Sequence, residues 1–129
     1  MFTVNAINEA HDKVKTGADF PEYIREIKLM GVESFKTSVE DSHTIYNGAG
    51  NFQAVSEPVY DTLAISDTTD TELFRHYLKI HQQGETDYFT FCRHCAATGV
   101  YYWIVDLNNY TCTYFDKKDI SVLEENIPH

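Results

Sequence analysis

The residues best suited to chemistry in this 129-residue chain are two cysteines in the segment Cys92–Arg93–His94–Cys95. A Cys-x-x-Cys pair can carry out disulfide exchange or can give two thiolate ligands to zinc. Disulfide exchange is favoured when the first cysteine begins a helix, because the helix dipole then lowers the pKa of the thiol. Here the pair falls well inside a predicted helix, on its apolar side, so burial in the core is the preferred interpretation.

A zinc site is the alternative for the same cysteines. His11 and His81 lie on the apolar faces of two other predicted helices, and a structural zinc ion takes four nitrogen or sulfur ligands. If these helices packed face to face, their ligands could converge. The candidate ligands are His11, His81, Cys92, Cys95 and Cys112. The second hypothesis is therefore a zinc-binding domain, or a Cys/His-dependent enzyme that uses His81, Cys92 and Cys95.

Signatures of other catalytic sites do not occur in the sequence. It has no Gly-x-Ser-x-Gly elbow, no His-Glu-x-x-His helix and no calcium-binding loop. The segment Asn47–Gly48–Ala49–Gly50–Asn51 is rich in glycine but lacks the spacing of a phosphate-binding loop, so it predicts a tight turn. We assign no catalytic residue and, zinc apart, expect no cofactor.

The charge of the chain narrows the choice of partners. Lys and Arg number 10 against 20 Asp and Glu, which gives a net charge of −10. This balance argues against nucleic acid and against an anionic membrane surface, because both attract basic proteins. It leaves a third hypothesis, in which this acidic protein imitates DNA and binds a basic, DNA-binding partner.

The cellular location follows from what the sequence lacks. No apolar run approaches the roughly 20 residues that a membrane-spanning helix needs, and the first residues do not resemble a signal peptide. Three cysteines are too few for a disulfide framework, and an odd number would leave one thiol unpaired. We expect a reduced, soluble protein of the cytoplasm.

Four amphipathic helices are predicted from apolar residues at a spacing of 3.6. Each is bounded by a capping residue or by a glycine. Asp19 with Glu22 and Thr69 with Glu72 form capping-box patterns, and Thr86 is the expected cap of the last helix. The predicted helices are Val4–Lys15 ended by Gly17, a helix from Asp19 to Gly31 with Pro21 in its first turn, Thr69–Gln82, and Asp87–Thr98.

The strands are predicted from alternating apolar residues. The predicted strands are Ser34–Glu40, His43–Tyr46, Phe52–Val55, Leu63–Ser66, Val100–Leu107 and Tyr110–Phe115, with Val122 and Leu123 as a possible edge. A two-residue turn at Asn108–Asn109 would pair Trp103 with Tyr114 and Ile104 with Thr113, and Val105 with Cys112. The order α-α-β-β-(β)-α-α-β-β predicts a single α+β domain over residues 1–129, with an antiparallel sheet and paired helices.

The last hairpin carries more aromatic side chains than one buried face can hold. Because side chains alternate along a strand, Tyr102 and Phe115 fall on the face opposite Trp103 and Tyr114. Either helices cover both faces, or the surplus face seats a protein partner or a second copy of the chain. The first hypothesis is therefore a protein-interaction or regulatory module, with Tyr102 and Phe115 in a possible homodimer interface.

Several segments also carry a resemblance to a known family. They are Asp19–Phe20–Pro21, the run from Leu78 to Tyr88, Phe91–Cys92, Gly99–Val100, Trp103, Thr111–Cys112–Thr113–Tyr114 and Ile127–Pro128. In combination, over nearly the whole chain, they resemble the YdfO/YbcV-like family of small uncharacterised bacterial and prophage proteins. The resemblance implies a single α+β domain in a bacterial cytoplasm or prophage context, and it implies no reaction.

Overall fold

The computed structural model describes residues 1–15 and 19–128. In these residues four α-helices pack on one six-stranded antiparallel sheet, which is the α+β class that the sequence predicts. The helices are α1 (Val4–His11), α2 (Phe20–Leu29), α3 (Thr71–Gln82) and α4 (Tyr88–Ala97). The strands are β1 (Val32–Ser38), β2 (Thr44–Gly48), β3 (Gln53–Val55), β4 (Tyr102–Asp106), β5 (Thr111–Phe115) and β6 (Ser121–Asn126).

The caps of three helices differ from the prediction. Asp70, rather than Thr69, caps α3, because its carboxylate accepts a hydrogen bond from the Leu73 N–H at 3.1 Å. Asp87, rather than Thr86, caps α4 in the same way. The Asp19 side chain does not cap α2 and instead accepts from the Lys15 N–H. Ser, Thr and Asp all cap helices well, so the pattern alone does not choose between neighbours.

One predicted helix is shorter than expected, and one predicted strand does not form. Helix α1 ends at His11, four residues before the predicted end, and Gly17 lies outside the described residues. Leu63–Ser66 is not a strand, because its backbone N–H groups bond to two different loops or helix ends and not to one strand: Leu63 donates to the Glu40 carbonyl and Ser66 to the Ala96 carbonyl.

The final hairpin has the predicted register, and Val122 and Leu123 belong to a sixth strand. Trp103 pairs with Tyr114, and Ile104 pairs with Thr113. The turn is longer than predicted, because β4 ends at Asp106 and β5 begins at Thr111. Its residue with a positive φ is Tyr110, at 56°, and not one of the two asparagines. The Asp106 carboxylate holds the turn by accepting hydrogen bonds from the backbone of the two asparagines.

The sheet joins two halves of the chain that share one architecture. The strand order is β3-β2-β1-β4-β5-β6, so that β1 and β4 form the antiparallel pair at the centre. Each half contributes two helices followed by a three-stranded meander: α1, α2 and β1 to β3, then α3, α4 and β4 to β6. No repeat is visible in the sequence, so the resemblance between the halves lies in the order of their elements.

The core lies between the helices and one face of the sheet. From α3, Phe74 packs edge-on against Tyr114, with ring centroids 4.9 Å apart. From α4, Phe91 contacts Trp103, and from α2 the Tyr23 hydroxyl meets that of Tyr46. Burying aromatic and aliphatic side chains of this size contributes most of the stability of a domain of this length.

Candidate interaction surface

The opposite side of the sheet, which we call the open face, is the feature that the fold leaves available. Because strand side chains alternate, it carries the residues between the core positions. The open face consists of Ser34, Lys36, Ser38, Ile45, Asn47, Gln53, Val55, Tyr102, Ile104, Asp106, Thr111, Thr113, Phe115, Glu124 and Asn126. Among residues 1–15 and 19–128, the ring contacts between helices and sheet lie on the other face. The helices therefore do not cover both faces, which was the alternative considered from the sequence.

Tyr102 and Phe115 lie side by side on the open face. Their rings stack with centroids 4.9 Å apart and an interplanar angle of 16°. The Lys36 ammonium sits 4.2 Å above the Tyr102 ring centroid, and the Tyr102 hydroxyl donates to the Asp119 carboxylate at 2.7 Å. These neighbours leave Tyr102 only 7% exposed, whereas Phe115 is half-buried. Burial and the bond to Asp119 raise the pKa of Tyr102 to about 12.

A shallow depression of about 410 Å³ lies on the open face beside this pair. It is lined by Ile104, Asp106, Asn109, Thr111, Thr113, Phe115 and Glu124. Thr113 donates to the Glu124 carboxylate at 2.9 Å. Burial raises the pKa of Asp106, but the N–H groups of Asn109 and Asn108 outweigh it, and the pKa is lowered overall. The lining of the depression thus combines apolar side chains with hydroxyl, amide and carboxylate groups.

The other half of the open face carries a ladder of amides. Gln53 donates to the Asn47 side chain at 2.8 Å, and Asn47 donates in turn to the Ser34 hydroxyl at 3.4 Å. At its edge Val55 is 56% exposed. This half of the open face therefore mixes polar side chains with a partly exposed apolar one.

The three cysteines occupy the core, as the packing interpretation predicts. Cys92, Cys95 and Cys112 are all buried and free. Burial raises the pKa of each thiol, in the case of Cys112 to about 12. The Tyr60 and Tyr88 hydroxyls lie beside Cys92 and only reduce this effect. Protonated thiols are poor nucleophiles and poor metal ligands.

The structure does not bring the predicted zinc ligands together. The His11 ring packs against Tyr23 at 5.2 Å between centroids. The His81 ring stacks on Phe91 at 4.4 Å, and its Nδ1 lies 3.1 Å from the Thr86 carbonyl and hydroxyl oxygens. Within residues 1–15 and 19–128, no three His, Cys, Asp or Glu side chains are placed to hold a metal ion.

Two features of the surface were missed from the sequence. The first is the row of Lys36, Ile104, Thr113 and Glu124 across the open face, which depends on pairing between distant strands. The second is a half-exposed pair in which His43 Nδ1 lies 2.6 Å from the Asp41 carboxylate. The Asp41–Ser42–His43 spacing could have indicated this pair, because a tight turn at the middle residue brings its two neighbours together. In the structure Ser42 has the positive φ of such a turn.

No helix in the described part of the chain has the length and apolar character needed to cross a membrane. The fold and its surface define a protein with one antiparallel sheet, which is covered by helices on one face and open on the other. A family described as "Protein of unknown function (DUF1398)" matches residues 8–126, and the chain belongs to that family. No curated protein matches the chain.

Proposed function

We propose that this protein is an interaction module that binds another polypeptide through the open face of its sheet. The observation that carries the proposal is the placement of the helix contacts on one side of a six-stranded sheet. An antiparallel sheet can pack one face on a core and keep the other in water when that other face is polar. This open face also carries Ile104, Val55 and Phe115 with part of their apolar area exposed, which makes it available for a partner.

The composition of the open face supports binding to protein rather than to nucleic acid. Ile104, Val55 and Phe115 give it partly exposed apolar area. Lys36 is its basic residue, and a phosphate backbone would need several. The thiols that could have supported catalysis are buried and protonated, which favours a binding role over an enzymatic one.

The proposal is tested by blocking the open face without disturbing the core. Thr113 is half-buried at the centre of the face, so Thr113→Arg places a bulky cation where a partner would lie. Gln83→Arg makes the same kind of change at an exposed position just after α3. Circular dichroism and thermal melting check that both variants fold.

The wild-type protein and both variants are immobilised, and bound polypeptides are captured from the native cells and identified by mass spectrometry. A differently tagged copy of the chain is included. The proposal expects one identified polypeptide, whether a copy or another protein, to bind the wild type and Gln83→Arg but not Thr113→Arg. Equal capture by all three, or capture by none, would overturn it.

We also propose that the protein works in a reducing bacterial or prophage-encoded setting, as the family resemblance implies. Its three buried free thiols support this setting, because disulfides are rare in reducing compartments. When cells are lysed directly into denaturant that contains an alkylating reagent, mass spectrometry should find all three cysteines alkylated. A disulfide in that sample would contradict the proposal.

A further inference from the structure

We propose that the occupant of the open face is a second copy of this chain, packed open face to open face about a two-fold axis. The inference rests on the proposed function, because it names the partner that the open face binds. The axis would run parallel to the strands and pass between β4 and β5. The argument depends on which side chains such an axis brings opposite each other.

The central row of the open face is self-complementary in charge. Lys36 pairs with Ile104, Ile104 with Thr113, and Thr113 with Glu124. These residues therefore form one line across the consecutive strands β1, β4, β5 and β6. A two-fold axis between β4 and β5 reverses this line, so each Lys36 meets Glu124 of the other copy. Both side chains are exposed.

The rows on either side are complementary under the same axis. Tyr102 pairs with Phe115, so the stacked rings of one copy lie over the stacked rings of the other. Asp106 pairs with Thr111, so each carboxylate meets a hydroxyl and not its own counterpart. The axis thus produces ion pairs, aromatic contacts and hydrogen bonds without placing two like charges in opposition.

The distribution of charge explains why a second copy would use this face. The chain has a net charge of −10, and two copies repel each other through most of their surfaces. On the open face Lys36 is accompanied by three carboxylates, those of Asp106, Glu124 and Asp119, the last of which accepts from the Tyr102 hydroxyl. The proposed axis sets each Lys36 against Glu124 of the other copy and so offsets part of this negative charge at the contact. Salt at physiological strength screens charges beyond about 8 Å, which further reduces the repulsion between copies.

The proposed axis places four strands of each copy, β1, β4, β5 and β6, opposite each other. At a spacing of about 4.8 Å these four strands span about 14 Å. Two sheets that pack face to face stand about 10 Å apart, a gap that long side chains from both sides fill. The depression beside Phe115 gives room for side chains of the second copy.

The test exchanges charges across the proposed axis and measures the association state by sedimentation equilibrium. Lys36→Glu and Glu124→Lys each place like charges opposite each other twice per dimer. We expect each to weaken dimerisation at least about tenfold relative to the wild type. An equimolar mixture of the two variants should form a heterodimer, because the axis then pairs opposite charges at both places. The double variant should dimerise like the wild type.

The matched controls are Lys79→Glu and Glu85→Lys, which make the same changes of net charge at exposed positions outside the open face. They should leave dimerisation unchanged. The inference is overturned if the wild-type protein is a monomer at all concentrations, if the controls weaken association as much, or if the mixture fails to associate. A monomer whose open face still captures a different protein overturns only this inference and leaves the proposed function standing.

Discussion

Tyr102 and Phe115 stack face to face on the side of the sheet that carries no helix contacts, with their ring centroids 4.9 Å apart. An aromatic pair on an open face has two functions here. It presents apolar area at the half-buried Phe115, and it stabilises the hairpin that holds it.

The first prediction separates the ring of Tyr102 from its hydroxyl. Tyr102→Phe removes the bond to Asp119 and should lower the free energy of unfolding by about 1 kcal/mol. Tyr102→Ala also removes the stack and the contact with Lys36, and should cost about 3 kcal/mol. Urea unfolding followed by circular dichroism measures both values. Equal losses for the two variants would show that the ring contributes nothing.

The second prediction concerns the buried thiols. At pH 8 the folded protein should react slowly with a thiol-reactive disulfide reagent, and the unfolded protein should react fully at its three cysteines. The reason is that burial raises the pKa of all three thiols and blocks access to them. Rapid reaction of the folded protein at any thiol would contradict this.

The same thiols give a stability that depends on pH. The folded-state pKa of Cys112, about 12, lies above its ordinary value of 9.0. The stabilisation is therefore fully present below pH 9 and is lost as the pH rises towards 12, because the unfolded chain releases the proton first. Cys112→Ala should make the stability less dependent on pH in this window, as measured by urea unfolding from pH 8 to 10.5.

The third prediction concerns Gly99, which follows α4 with a φ of 85°. A Cβ at this position would lie 2.7 Å from the Thr68 carbonyl oxygen, so Gly99→Ala should cost about 3 kcal/mol or prevent folding. Gly84→Ala is the matched control, because Gly84 also has a positive φ but has open space around it. The control should cost about 1 kcal/mol, which is the backbone term alone. Thermal unfolding distinguishes the two.

The fourth prediction concerns acid. Burial lowers the pKa of His81 below its ordinary value of 6.5. Its contribution is therefore complete above pH 6.5 and is lost as the pH falls through the folded-state pKa, because the unfolded chain binds the proton first. His81→Gln should reduce the fall in stability between pH 6.5 and 5. Identical slopes for the wild type and the variant would exclude this role.

The features predicted correctly from the sequence are those that depend on neighbouring residues, namely the four helices and the last hairpin. The helices follow from apolar residues spaced by 3.6, and the last hairpin has the predicted register because a short turn fixes the pairing of Trp103 with Tyr114. Choices between equivalent neighbours could not be predicted. Thr69 and Asp70 are both good caps, and in the structure Asp70 is the one that accepts from the helix backbone.

Only part of the open face could be predicted from the sequence. Alternation along the hairpin placed Tyr102 and Phe115 away from the core, but it could not show whether helices cover them. Lys36 joins the same surface only because β1 pairs with β4, residues that are far apart in the chain. Long-range pairing of this kind leaves no local pattern, so the charge row from Lys36 to Glu124 could not be predicted.

The central pairing of β1 with β4 has a consequence for the newly made protein. During synthesis the first three strands emerge together, and β1 then presents an unpaired backbone that only β4, made much later, will occupy. An unprotected edge of this kind readily joins the equivalent edge of another nascent chain. Production of the whole domain should therefore be sensitive to ribosome pausing between residues 56 and 101, where delay prolongs the life of that half-finished sheet.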